Sequence, residues 1–163
     1  MKTYSAPWSR VLLLTSSSGA LVCFGAGMIT MLYTPLPLRW LGLALASVPL
    51  VCALFSIRHY SVSPDLILIH RLFWKTAIPR AGLKDARFDP QAMQRSVRTC
   101  GNGGLFSFTG SYWNKVLGQY RAYVTDPSRA VVLSYSSGKT VVLSPGQPEA
   151  FVRELRVADL VAA

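Results

Sequence analysis

Two apolar runs fill the first third of the chain. From Val11 to Tyr33, and again from Leu38 to Ile57, apolar residues follow one another almost without break. Across the whole of Val11–Ile57 the one charged side chain is Arg39. Each run is close to the ~20 residues that a helix needs to cross ~30 Å of hydrocarbon. Thr34-Pro35-Leu36-Pro37 parts them, and two prolines that close stop a helix and turn the chain. The pattern predicts a transmembrane helical hairpin, with a tail over 1–10, helices over 11–33 and 38–57, and a turn over 34–37. Small residues four apart at Ser16/Ala20, Cys23/Gly27 and Gly42/Ala46 let two helices approach closely. Pro49 stands where it would kink the second helix. A cleaved signal peptide competes for the first run, and a pair of buried helices in a soluble chain competes for both. The first run exceeds the roughly 7–15 apolar residues of a signal peptide, and a second run follows at once. Only Ser16-Ser17-Ser18 interrupts the apolar texture in the way a soluble helix would.

From residue 60 the period changes to that of strands. Leu66–Leu72, Trp74–Ile78 and Leu83–Phe88 read as short strands, the first introduced by the turn Ser63-Pro64-Asp65. Asp89–Thr99 has no clear period and reads as a loop or helical turn. Gly101-Asn102-Gly103-Gly104 punctuates the chain, Leu105–Tyr112 alternates, Asn114-Lys115 occupies a hairpin turn, and Val116–Thr125 returns. Asp126-Pro127-Ser128 is the next turn. Ala130–Ser136 and Thr140–Ser144 then pair across Ser137-Gly138-Lys139. Pro148 suits the first turn of a helix and Glu149 its positive end. Phe151, Val152, Leu155 and Ala158 make an apolar stripe at helical spacing. The fold class is α+β: about seven strands and one C-terminal helix, whose apolar face must close over a sheet or barrel mouth.

The order GNGGLF…GSYWNKVLGQYRAYVTD…VVLS…KTVVLSPGQPEAFVREL resembles the bacterial pleckstrin-homology (PH)-like domain families. Many of their members are small membrane proteins with two transmembrane helices ahead of the domain. The similarity covers roughly residues 58–157. It rests on the glycine-aromatic hairpin, the G-x-Y-x-x-Y-x-T strand at Gly118–Thr125 and the SP-x-x-P-E-x-F entry at Ser144–Phe151. The resemblance implies a bent antiparallel β-barrel closed by the C-terminal helix, with 158–163 as a tail. PH domains that grip phosphoinositides use a basic cluster between their first two strands. The matching loop here, Ser63-Pro64-Asp65, has an acidic residue and no basic one, so the resemblance carries no phosphoinositide specificity.

Charge orients the hairpin. Lys2 and Arg10 precede the first helix and Arg58, Arg71 and Lys75 follow the second, so the positive-inside rule puts both termini in the cytoplasm and the domain at the inner membrane. Residues 58–163 hold 14 of the 17 Lys and Arg and all seven Asp and Glu. A pI near 10.0 raises nucleic acid as a partner. The basic residues are scattered, however, and an anionic lipid surface is already at hand. Nucleic acid is therefore not expected; the bilayer, its anionic headgroups and an unidentified membrane or cytoplasmic protein are. Arg58, Arg71, Lys75, Arg80 and Lys84 are candidate surface contacts. So are Trp113 and Lys115 at the hairpin tip, unless Trp113 folds back onto the domain.

Reactive chemistry is sparse. Gly101–Gly104 is followed by a strand, where a dinucleotide fingerprint would open a helix. Gly138-Lys139-Thr140 echoes a P-loop, but Leu133 stands where its first glycine belongs. His70 is a candidate general base without an identifiable nucleophile, and His59 sits at the boundary of the second helix. Cys23, Cys52 and Cys100 form neither CxxC pair nor even framework. No GxSxG, HExxH or paired-carboxylate pattern occurs, and no cofactor or metal is indicated. The expected function is a non-catalytic, membrane-anchored module that contacts a protein or lipid headgroups. The alternative is an accessory subunit or small membrane-bound enzyme that uses the barrel as a substrate platform.

Overall fold

The computed structural model describes residues 1–161. The apolar runs form α1 (Arg10–Tyr33) and α2 (Leu36–Leu54). Ser9 starts α1 by accepting a hydrogen bond from Leu12 N at 3.1 Å on its hydroxyl, a standard N-cap. The turn between the helices is shorter than the sequence suggested, because Pro37 fits within the first turn of α2, where no backbone N–H is needed. Pro49 is also accommodated inside α2. Both helices are long and apolar enough to cross a membrane, and large side chains such as Leu14, Leu21, Leu32, Trp40 and Leu50 face outward from them. The two pack backbone to backbone. A Cβ on Gly27 would lie 2.7 Å from the Gly42 carbonyl oxygen, and one on Gly42 would lie 2.7 Å from that of Gly27.

The chain does not begin with a tail. Lys2–Ser5 is a strand, β1, and it pairs antiparallel with β2 (His59–Val62), the first strand after α2. With β3 (Leu66–His70) and β4 (Lys75–Pro79) they make a four-stranded antiparallel sheet in the order β1-β2-β3-β4. The remaining strands are β5 (Leu83–Phe88), β6 (Val97–Gly103), β7 (Phe108–Asn114), β8 (Gly118–Val124), β9 (Val131–Tyr135) and β10 (Thr140–Leu143). They form a six-stranded sheet in the order β5-β9-β10-β8-β7-β6, with β10 parallel to β8. The helix α3 (Pro148–Val161) follows and runs into the segment expected as a C-terminal tail.

Two expectations are corrected. The strands number ten among the described residues, and the sheets stay open where a closed barrel of about seven was expected. A barrel closes only if strands pair across every seam. Here the chain turns at Gly82, whose φ of 78° suits glycine, and β5 then pairs with β9, leaving β4 as an edge. Gly101, Asn102 and Gly103 are also not a turn. They end β6, which begins inside the segment read as a loop.

The core lies between the sheets, where α3 lays Phe151 and Leu155 fully buried against them. Ala158, the last position of the expected stripe, lies outside the described side chains. The Phe151 ring meets Tyr4 of β1 at 5.1 Å and Tyr60 of β2 at 6.4 Å, both edge to face. Tyr60 is itself fully buried, and its hydroxyl donates to the Tyr123 carbonyl at 2.8 Å, joining one sheet to the other. Burial pushes that phenol up to about 12, so it stays a donor at every pH the fold meets.

Two substitutions probe this packing. Phe151→Ala should cost about 3–5 kcal/mol, the range for a buried Phe, measured by unfolding the full chain in detergent. Gly27→Leu should cost about 1–3 kcal/mol or more by overpacking the helix crossing, with Gly25→Leu as its control. A Cβ at Gly25 meets nothing within 4 Å. Equal midpoints for these two glycine variants would refute the close crossing.

Candidate functional site

The strands of the smaller sheet run away from the helices and back. β2 leaves the end of α2, β3 returns, and the β3–β4 turn at Arg71–Trp74 comes back against Phe55, the residue after α2. Arg71 N closes that turn by donating to the Trp74 carbonyl at 3.0 Å. The Phe55 and Trp74 rings meet edge to face at 5.1 Å. Leu72 and Phe73 at the tip are exposed, Phe73 by 75%.

Arg71 itself turns inward and is 8% exposed. Its Nη1 donates to the Phe55 carbonyl at 3.1 Å, one of the acceptors left over where α2 ends. The guanidinium lies 5.8 Å from the Phe55 ring, 5.6 Å from Trp74 and 5.7 Å from Tyr123, so π faces surround it. Burial lowers its pKa, but an arginine keeps its charge. Its Nε is buried and has no hydrogen-bond partner among the described residues.

Arg71 forms part of the wall of a cleft of about 720 Å³. Cys52 and Phe55 supply the α2 side, Trp74 and Thr76 the β3–β4 side, and β6, β7 and β8 the rest. Arg98 of β6 and Arg121 of β8 line the same space, and among the described residues no Asp or Glu does. A smaller cleft of about 410 Å³ continues along the β4 edge and shares Thr76, Arg121 and Tyr123.

The glycines explain the shape of the far wall. Gly101 and Gly110 face each other across β6 and β7 with φ of 110° and 137°. A Cβ on Gly101 would collide with the Thr109 carbonyl, and one on Gly110 with the Cys100 carbonyl. The two strands thus approach at a point where no side chain fits. Gly103 has no positive φ, but a Cβ there would lie 2.8 Å from the Arg98 guanidinium, which folds across it. Beyond this point the loop Gly104–Ser107 docks on α1. Thr15 Oγ1 donates to the Gly104 carbonyl at 2.8 Å, and Phe106 N donates to Ser16 Oγ at 2.8 Å. The serine interruption of the apolar run is therefore the seat of this loop.

The structure separates the candidates that sequence grouped together. Arg58, Arg71 and Lys75 lie at the helix end of the domain, by the ends of β2, β3 and β4. Arg80 lies at the opposite end and is buried, with Nη2 donating to the Leu155 carbonyl of α3 at 2.8 Å and Nη1 to the Ser63 carbonyl at 3.1 Å. Lys84 is exposed in β5. Trp113, 45% exposed, and Lys115 sit at the end of β7 away from the loop that touches α1. Asn114 between them is buried and holds the turn, accepting from Leu117 N at 2.7 Å and donating to the Ala92 carbonyl at 2.8 Å. Arg98 and Arg121 were not singled out from sequence. Both line the cleft, although the register sets Arg98 across from Tyr112 and Arg121 across from Ser111, its neighbour on β7.

His59 and His70 pair across β2 and β3 with rings stacked at 4.0 Å. His70 Nε2 lies 3.0 Å from the hydroxyl of Ser61, which is buried. Burial first, then the nearby His59 and Lys75, lowers the His70 pKa. Neither histidine lines the arginine cleft. Among the described residues, no three His, Cys, Asp or Glu side chains converge as a metal site would require.

A family model described as Bacterial PH domain matches residues 58–158. The matched span starts after α2 and so leaves out β1. No curated protein and no solved structure matches the chain.

The histidine pair generates a pH dependence. The unfolded chain binds a proton at His70 near the usual ~6.5, while the folded chain binds it only at a lower value. Between the two the unfolded state holds more protons, so stability is complete above about 6.5 and declines as the pH falls through that window. His70→Gln, which can still bond Ser61, should flatten the decline. A thermal midpoint of the full chain that stays constant from about pH 7.5 to 5 would contradict the depressed value.

Proposed function

Because the chain belongs to the bacterial PH domain family, whose domains are generally non-catalytic interaction modules, we propose that it works as such a module at the inner face of the cytoplasmic membrane. The helices α1 and α2 anchor it with both termini cytoplasmic, and the domain contacts lipid headgroups or a protein lying on the bilayer. The observation that carries this reading is the way the helices join the domain. They emerge from between two paired strands, β1 and β2, so no free linker lets the domain drift from the bilayer. The exposed Leu72-Phe73-Trp74 tip beside Phe55, flanked by Arg71 and Lys75, has the composition of a headgroup-level contact. Trp113 and Lys115, at the other end of β7, are better placed for a partner in the cytoplasm.

A substrate platform for an enzyme draws less support. That reading asks for a reactive group in the cleft, and the perturbed histidine bonds Ser61 outside it.

Labelling of an introduced cysteine tests the topology. Ser137 is exposed in the β9–β10 turn, far from both helices in sequence. In a chain whose Cys23, Cys52 and Cys100 are replaced by Ala, Ser137→Cys should react with a membrane-impermeant maleimide only after the cells are opened. Strong labelling on intact cells would place the domain outside and defeat the proposal.

A further inference from the structure

We propose that the open edge of β4 takes up an extended acidic segment of a cytoplasmic protein, which adds to the smaller sheet as a further strand. The inference rests on the interaction-module reading and gives the partner a form and a charge.

The main chain supplies the first argument. Arg71 N donates to the Trp74 carbonyl at 3.0 Å and Arg80 N to the Asp65 carbonyl at 2.9 Å, one at each end of the β3–β4 ladder. Antiparallel pairs alternate between bonded and unbonded, so Ile69/Thr76 and Ile67/Ile78 are the bonded pairs between those ends. Lys75 and Ala77 therefore turn their N–H and C=O groups away from β3. Among the described residues no strand pairs with them there. The other edges are partly taken. Gly146 N donates to the Ser5 carbonyl of β1 at 2.7 Å, and Arg156 Nη2 to the Ala86 carbonyl of β5 at 3.1 Å. The register of β6 is broken between Arg98 and Cys100, and a bulge blunts an edge.

The clefts show that there is room. Thr76, Ala77, Ile78 and Pro79 line the smaller cleft in unbroken succession. Successive strand side chains point to opposite faces, so four in a row share a cavity only when it runs along the strand's edge. Across from this edge lies the face of the larger sheet that carries Arg121, with Ser111 opposite it on β7. Tyr123 shares that face two residues on, and it belongs to the core with Phe151. At Arg121 the same face is exposed, whereas Tyr112 and Tyr120 on the reverse face are buried with Ala92. A strand added about 4.8 Å beyond β4 would cover it.

Charge selects the segment. Arg121 lines both clefts and Lys139 the smaller one, and among the described residues no carboxylate lines either. Lys75 stands exposed on the edge itself, and Pro79 ends the ladder because it has no N–H. Such residues discourage indiscriminate pairing, including pairing with a second copy of this edge. A strand that carries carboxylates is attracted instead. Because β4 is five residues long, the segment spans about 17 Å.

The test uses the full chain in a neutral detergent and a fluorescent heptapeptide of alternating Glu and Val, with the Lys/Val heptapeptide as control. The Glu peptide should bind saturably by millimolar concentration, and the Lys peptide should not. Bound Glu peptide should slow amide exchange at Lys75 and Ala77, while Thr76 and Ile78, bonded to β3, stay slow throughout. Ala77→Pro removes an edge donor but no bond to β3, so it should keep the peptide-free midpoint and weaken binding about tenfold or more. Arg121→Gln should weaken binding several-fold. No saturable binding of the Glu peptide, equal binding of the Lys peptide, or binding unchanged in either variant would overturn the inference. So would unaltered exchange at Lys75 and Ala77 in the bound chain. If Ala77→Pro does not fold, Arg121→Gln and the exchange pattern carry the same decision. If the peptide fails to bind while Ser137→Cys still reacts only in opened cells, this inference fails and the anchoring stands. Labelling on intact cells defeats the anchoring whatever the peptide result.

Discussion

The pairing of β1 with β2 governs everything else in this molecule. Ser5 lies opposite His59, and the ladder continues one step further as Ala6 N donates to the Arg58 carbonyl at 3.2 Å. The whole helical hairpin is thus an excursion between two neighbouring strands, which lie about 4.8 Å apart. Its two ends are held where the sheet holds them. Ser9 N, just before α1, donates to the Thr125 carbonyl at 3.2 Å, which ties the start of the helix to the second sheet as well. With both ends fixed, the loop Gly104–Ser107 can rest on Thr15 and Ser16, and Arg71 can reach the end of α2. None of these contacts would survive a flexible linker.

The same constraint accounts for the open seam. The β1 strand adds to one edge of the smaller sheet and brings Tyr4 against Phe151, while Lys2 reaches Glu154 of α3 at 3.2 Å. The helix α3 closes the space between the sheets on that side. Among the described residues no helix closes the β4 edge, and there Tyr135 spans the gap with a hydrogen bond from its hydroxyl to the Pro79 carbonyl at 2.9 Å. Arginines line this seam, whereas the seam under α3 is mainly apolar, and its polar groups (the hydroxyls of Tyr60, Thr125 and Ser144 and the guanidinium of Arg80) are bonded within the fold. One side of the sandwich is a core and the other an open cleft.

How much of this could be read from the residues follows from the range of each interaction. The helical hairpin and the α3 stripe are local patterns, repeated over many positions, and the resemblance to PH-like domains rested on local turn chemistry. Lys2–Ser5 has no such pattern. Its four residues become a strand only because β2 lies beside them, across the intervening stretch that holds both helices. The serines at 16–18 looked like a flaw in a membrane helix until the loop that uses Ser16 as a donor and acceptor site was in place. Gly101 to Gly104 carried a true signal of backbone constraint, but the sequence could not distinguish a turn from two strands pressed together. Arg98 and Arg121 are ordinary strand residues until the folded sheets line one cleft with them and Arg71.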